Sequence, residues 1–148
     1  METIIFDLDG TLAIIDKRRA LATKADGKID WDVFFAPENI QLDEPNIPVI
    51  KMLKALTNDY CIVIFSGRDD ISAEETLNWL NYYGIYPDMI KMRRHGSFVP
   101  DDKLKKLWLE DLRKQDYQVI CAYDDRDKVV KMWRDNGVPC FQVAEGDF

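Results

Sequence analysis

Asp7 and Asp9 stand one residue apart, followed by Gly10 and Thr11, at the end of the apolar run Ile4-Ile5-Phe6. Two carboxylates this close repel unless something positive lies between them. A hard cation bound by oxygen ligands is the simplest resolution. The same punctuation recurs twice. The run Tyr60–Phe65 stops at Ser66-Gly67-Arg68, and Tyr117–Tyr123 stops at Asp124-Asp125-Arg126. Lys103, Lys105 and Lys106 precede the latter run. Acids, a hydroxyl, an amide turn and a lysine form a kit for phosphoryl transfer. Asp7 and Asp124 could hold Mg²⁺ at about 2.0–2.1 Å with several waters retained. Ser66 and the Gly67 amide could donate to phosphate oxygens. A lysine could neutralise charge spreading over the equatorial oxygens. One carboxylate in line with phosphorus can act as nucleophile, giving an aspartyl-phosphate. A second, two residues on, can protonate the leaving oxygen and later activate water.

These residues must be gathered by the elements that carry them. Ile4–Phe6 reads as a short strand, and Tyr60–Phe65 as a strand covered on both faces. Asp88–Met92, Tyr117–Tyr123 and Pro139–Val143 are further strand candidates. Between them lie helical patterns. Asn46 and Pro48 open one with Val49, Met52, Leu53 and Leu56 inward. Ser72–Glu75 is a capping box for a second, with Ala73, Leu77 and Leu80 inward. Asp101 or Asp102 caps a third, with Leu104, Leu107, Trp108 and Leu112 inward. A fourth carries Val129, Val130 and Trp133 and ends at Asn136-Gly137. This alternation implies an α/β fold, an open parallel sheet of about five strands with helices on both faces. In such a sheet the carboxyl ends of the strands share one edge, where ligands bind. Residues 13–45 read as a flap or minimal cap within a single domain, 1–148, their aromatic residues folded back on the body.

Composition sets bounds. Lys and Arg number 20 against 27 Asp and Glu, a formal charge of −7. That balance argues against non-specific binding along duplex nucleic acid, which needs a basic face. No run approaches the roughly 18 apolar residues of a membrane span, and no membrane partner is expected. Cys61, Cys121 and Cys140 are an odd number beside apolar runs, which reads as reduced core cysteines in a cytoplasmic protein. His95 is the only histidine, so histidine-based schemes fall away. Arg93 and Arg94 read as surface residues. Trp79, Trp108 and Trp133 fall on helical faces as core residues, and Trp31 is the one aromatic placed to stack on a base.

The motif FDLDGTLA (Phe6–Ala13), a strand ending in Ser66, a lysine in a later helix and Tyr123-Asp124-Asp125 resemble the haloacid dehalogenase superfamily of phosphohydrolases. SGR (Ser66–Arg68), Met92-Arg93, Asp101-Asp102 and the stretch Asp124–Phe148 resemble, more closely, the 3′-phosphatase domain of phage-type polynucleotide kinase/phosphatase. The resemblance implies a Rossmann-like fold, Mg²⁺, and a phosphorylated nucleotide or polynucleotide 3′ end as substrate. It implies Asp7 as nucleophile and Asp9 as general acid/base with its main-chain carbonyl on the metal. Ser66 would bind the phosphoryl group. Lys105, with Lys103 close enough to compete, would clamp it. Asp124 would ligate Mg²⁺ and Asp125 would position metal-bound water. Arg18 and Arg68, with Thr11 and Gly67, would hold substrate. No GxxxxGK[ST] phosphate loop is present, so only the phosphatase half is represented. The segment Ser97–Pro100 departs from the family, which tends to be basic there. Two other functions remain open at this point, a small-metabolite phosphatase of the same chemistry and a catalytically silent domain that binds phosphorylated ends.

Overall fold

A computed structural model describes residues 1–148. Five strands, β1 (Glu2–Asp7), β4 (Cys61–Asp69), β5 (Met89–Arg93), β6 (Gln118–Asp124) and β7 (Cys140–Gln142), form a parallel sheet in the order β5-β4-β1-β6-β7. Two-residue strands β2 (Ala13–Ile14) and β3 (Glu44–Pro45) pair antiparallel at the base of the flap. Helices α3 (Ile47–Leu56), α4 (Ala73–Tyr82), α5 (Asp101–Lys114) and α6 (Asp127–Asp135) alternate with the main strands. The flap itself carries α1 (Asp16–Ala22), α2 (Trp31–Phe34) and a 3₁₀ turn (Pro37–Leu42).

The continuous apolar runs are explained by burial on both sides of the sheet. Along β1 and β4, Ile4, Phe6, Ile62 and Ile64 enter one core, shared with α3, α4 and the flap. Ile5, Cys61, Val63 and Phe65 enter the other, beneath α5 and α6. Because β1 is central, its end is flanked by both neighbours. Asp7 pairs in register with Phe65, one residue before Ser66, and Phe6 pairs with Tyr123, one residue before Asp124. The parallel register alone therefore brings Asp7, Ser66 and Asp124 to one edge.

Several local expectations give way to tertiary contacts. Asn46 does not cap α3 through its side chain, and Nδ2 instead donates to the Thr11 carbonyl at 2.9 Å, tying α3 to the loop after β1. Ser72 makes no capping bond to α4, and its hydroxyl turns back to the Asp69 carbonyl. Neither Asp101 nor Asp102 caps α5, whose N-cap position falls on Pro100, and the Asp101 carboxylate accepts from Arg93 at 3.1 Å. Met52, Leu77 and Leu107 point to solvent, and their inward places are taken by Ile50, Thr76 and Lys105. Trp79 and Trp133 are core residues as expected, while Trp108 is half-buried, edge-on to Phe65.

Candidate active site

At the carboxyl edge, Asp7, Asp124 and Asp125 each offer a carboxylate oxygen within 4.8 Å of the others. All three are buried, and so is the lysine between them. Lys105 Nζ lies 2.8 Å from Asp7 Oδ1 and 3.0 Å from Asp124 Oδ2. Lys103 is exposed, so burial decides between the two lysines. The Asp7 carboxylate also accepts from the Thr11 hydroxyl at 2.9 Å. Asp124 accepts from the Trp133 indole at 3.2 Å and from the Asp125 amide at 2.9 Å.

Three carboxylates against one ammonium leave this pocket two charges short of neutrality. Burial, then the Asp124 charge, push the Asp7 carboxyl well above its ordinary range despite Lys105. Burial raises the Asp125 carboxyl to about 6. Burial would lower Lys105, but the Asp124 and Asp7 charges outweigh it and hold the ammonium firmly protonated. The deficit, the all-oxygen donors and their spacing fit a hard divalent cation.

Asp9 faces a separate, balanced cluster. Its Oδ1 accepts from Arg18 Nη2 at 2.7 Å and from Arg68 Nε at 2.9 Å. Both guanidiniums also grip Asp43. Arg18 Nε reaches Oδ1 at 3.0 Å, and Arg68 Nη2 reaches Oδ2 at 2.6 Å. Burial pushes the Asp9 carboxyl up, but the Arg68 and Arg18 charges prevail and hold it at about 2. The Asp9 carboxylate thus lies outside the acidic trio, and the resemblance assigned only its main-chain carbonyl to metal.

The residues expected to hold substrate are placed as follows. Arg18 and Arg68 are 0% exposed. Arg18 also donates to the Phe34 carbonyl at 3.1 Å and Arg68 to the Thr76 hydroxyl at 3.0 Å. As placed, they lie beneath the surface and hold Asp9 and Asp43. Thr11 is also fully buried and orients Asp7. Ser66 and Gly67 do sit at the edge. The Ser66 hydroxyl accepts from the Arg68 amide at 3.1 Å, and the Gly67 carbonyl accepts from Arg93 Nε at 2.9 Å. Arg93 is therefore a brace for this loop and not a surface residue. It also bonds the Val99 carbonyl at 2.5 Å.

Sequence reasoning missed Asp43, Trp133 as a hydrogen-bond donor, and Thr76. Nothing local marks Asp43, which lies in an irregular stretch and becomes functional only when α1 and β4 bring two arginines to it.

Three glycines leave no room for a Cβ, and one of them, Gly146, would meet the Asp125 backbone carbonyl. A Cβ at Gly10 would stand 2.1 Å from Asp125 Oδ2, and its φ is +83°. A Cβ at Gly67 would meet Asp101 Oδ1 at 2.1 Å. Gly10→Ala should cost about 1–2 kcal/mol in backbone strain. By displacing Asp125 it should also weaken binding of any divalent cation at the acidic trio about tenfold or more, read by calorimetry with Mg²⁺. Unchanged Mg²⁺ affinity would contradict that placement.

His95, on the turn after β5, sits with Nδ1 2.8 Å from Asp69 Oδ2, and this contact raises its pKa. The folded value exceeds the unfolded one. The pair's contribution to stability is therefore complete below the ordinary imidazole value of about 6.5 and is lost as pH rises through the raised value. The lone imidazole should titrate above about 6.5 by NMR and fall toward that value in Asp69→Asn. Titration unchanged by the substitution would contradict the pairing.

The chain matches, over residues 1–148, the family described as the phosphatase domain of polynucleotide kinase PNKP. It is 32% identical over 139 residues to a protein of Autographa californica nuclear polyhedrosis virus named for polynucleotide kinase and RNA ligase activities, covering 92% of this chain and 18% of the viral one. The solved Pnkp1/Rnl/Hen1 complex contains a similar chain at 34% identity and TM-score 0.80, over 99% of this chain and 47% of that one. A haloacid dehalogenase-like hydrolase from Streptococcus pneumoniae shares the fold at 16% identity and TM-score 0.70, over 95% of this chain and 83% of that one. This chain thus spans less than half of the first two relatives.

Proposed function

The chain belongs to the phosphatase-domain family of polynucleotide kinase PNKP, within the haloacid dehalogenase phosphatases, and from that membership we propose that it is a Mg²⁺-dependent phosphomonoesterase that removes 3′-phosphates from polynucleotide or nucleotide ends. The observation that carries the chemistry is the Asp7 carboxylate, fixed by Thr11 and Lys105 beside Asp124 at the end of the central strand.

Asp7, Asp124 and Asp125 would hold the Mg²⁺, with the Asp9 carbonyl. When bound, the ion supplies positive charge that steadies phosphate oxygens and allows the clustered acids to remain ionised. The protein's own residues do the rest. The Asp7 carboxylate attacks phosphorus in line, the P–O3′ bond breaks, and an aspartyl-phosphate forms. Lys105 and the Ser66 hydroxyl offset charge on the transferred phosphoryl group. Asp9 starts as a carboxylate, the form needed to take a proton from water in the second, hydrolytic half. To donate a proton to the leaving 3′ oxygen it must first gain one, and the negative charge of an arriving phosphomonoester favours that. Arg18 and Arg68 fix which way Asp9 points in both halves.

The test is a panel of 3′- and 5′-phosphorylated oligonucleotides, mononucleotides and sugar phosphates with Mg²⁺ or EDTA. The proposal expects Mg²⁺-dependent release of phosphate, fastest from 3′-phosphorylated oligonucleotides. Equal turnover of sugar phosphates would instead favour the small-metabolite reading, which the chain's acidity mildly supports. Inertness toward every ester would favour a binding domain.

A further inference from the structure

The flap carries an exposed aromatic surface that phosphoryl transfer does not use. Trp31 opens α2 and is 57% exposed, whereas Trp79 and Trp133 are buried. One face of its ring stacks on Phe35, 5.6 Å away at 22°, and its edge meets Phe34 at 5.4 Å and 86°. Phe34 lies under the Arg18 guanidinium at 4.4 Å. Arg18 Nη2 reaches Asp9 at 2.7 Å. The exposed indole is thus joined to the acid/base carboxylate through two residues.

The platform is held firmly. The Asp30 carboxylate caps α2 by accepting from the Asp32 and Val33 amides, and Asn39 Nδ2 bonds the Val33 carbonyl at 2.8 Å. The turn Arg94–Ser97 is tied to the end of β4, where its His95 amide and ring bond Asp70 and Asp69. A chain of formal charge −7 has little electrostatic grip on a polyanion. Affinity for a single strand must then come from stacking, which every base can supply.

We propose that Trp31, backed by Phe35, is the stacking platform for the base of the terminal nucleotide that carries the 3′-phosphate. This rests on the 3′-phosphatase reading above, and the two can fail separately.

The experiment compares two substrates in each enzyme, a 3′-phosphorylated trinucleotide and the same molecule lacking its terminal base. The enzymes are wild type, Trp31→Leu, Trp31→Phe and Phe98→Ala. Leucine keeps an apolar contact for Phe34 and Phe35 without a π-face. Phe98 is an exposed aromatic in the loop between β5 and α5. In wild type, loss of the base should raise KM about tenfold or more. In Trp31→Leu that preference should vanish, because the two deletions remove one interaction. In Trp31→Phe it should largely persist. A preference that survives in Trp31→Leu, or that disappears in Phe98→Ala, overturns the assignment. Wild type that strongly prefers 3′-phosphorylated oligonucleotides yet ignores the base overturns the platform and leaves the phosphatase reading standing. Wild type that turns over sugar phosphates equally well overturns both.

Discussion

Asp7→Asn should abolish phosphatase activity without unfolding the protein. Asparagine keeps the shape and can still accept from Thr11, but it cannot form an acyl phosphate. Removal of a nucleophile of this kind should lower kcat by about four orders of magnitude or more. Stability should move the other way. Burial and the Asp124 charge raise the Asp7 carboxyl, so its ionised form is disfavoured in the folded state without metal. A carboxyl whose folded pKa is raised loses stability as pH rises from its unfolded value toward the folded one. A residue that cannot ionise escapes that loss. The melting temperature of the metal-free variant should therefore equal or exceed wild type, an instance of a site that trades stability for function. Activity within tenfold of wild type would remove Asp7 from its assigned role.

The second large effect concerns a residue that touches no reacting atom. Asp43→Ala would leave Arg18 and Arg68, both fully buried, sharing the single carboxylate of Asp9. The cluster would pass from balanced to one uncompensated positive charge. Breaking a buried pair in this way costs about 3–5 kcal/mol. In a domain of this size that corresponds to roughly 10 °C in melting temperature. Phosphatase activity should fall as well, because the arginines would relax and take Asp9 with them. Lys131→Ala provides the contrast. Its pair with Asp135 lies on an exposed helix face, and its removal should change stability by less than about 0.5 kcal/mol. A melting temperature unchanged in Asp43→Ala would show that the four-residue cluster is not structural.

Much of the site was legible because parallel strands deliver the ends of apolar runs to one edge. Asp7, Ser66 and Asp124 needed nothing more than that geometry. Lys105 was legible as a member of a lysine cluster, and burial of its face of α5 singled it out from Lys103. The arginines show where sequence reading runs out. Their types suit phosphate, so Arg18 and Arg68 read naturally as substrate clamps. In the structure both are held by Asp43, 25 residues from each in the chain. No periodicity or motif encodes that meeting, which the flap's short helices and the β2–β3 pair arrange. The same limit applies to caps. Ser72 and Asn46 have capping side chains, but nearby carbonyls compete for them. The helical stripe of α5 was misread at Leu107 because a buried lysine occupies an inward position that hydrophobic patterning reserves for an apolar residue.

The most direct test of the central claim is a crystal structure of the wild-type protein grown with Mg²⁺. The account predicts one ion bound jointly by the carboxylates of Asp7 and Asp124, with Asp125 beside it and Lys105 still against the pair. An ion bound elsewhere, or Asp7 and Asp124 held apart with no shared ion, would contradict it.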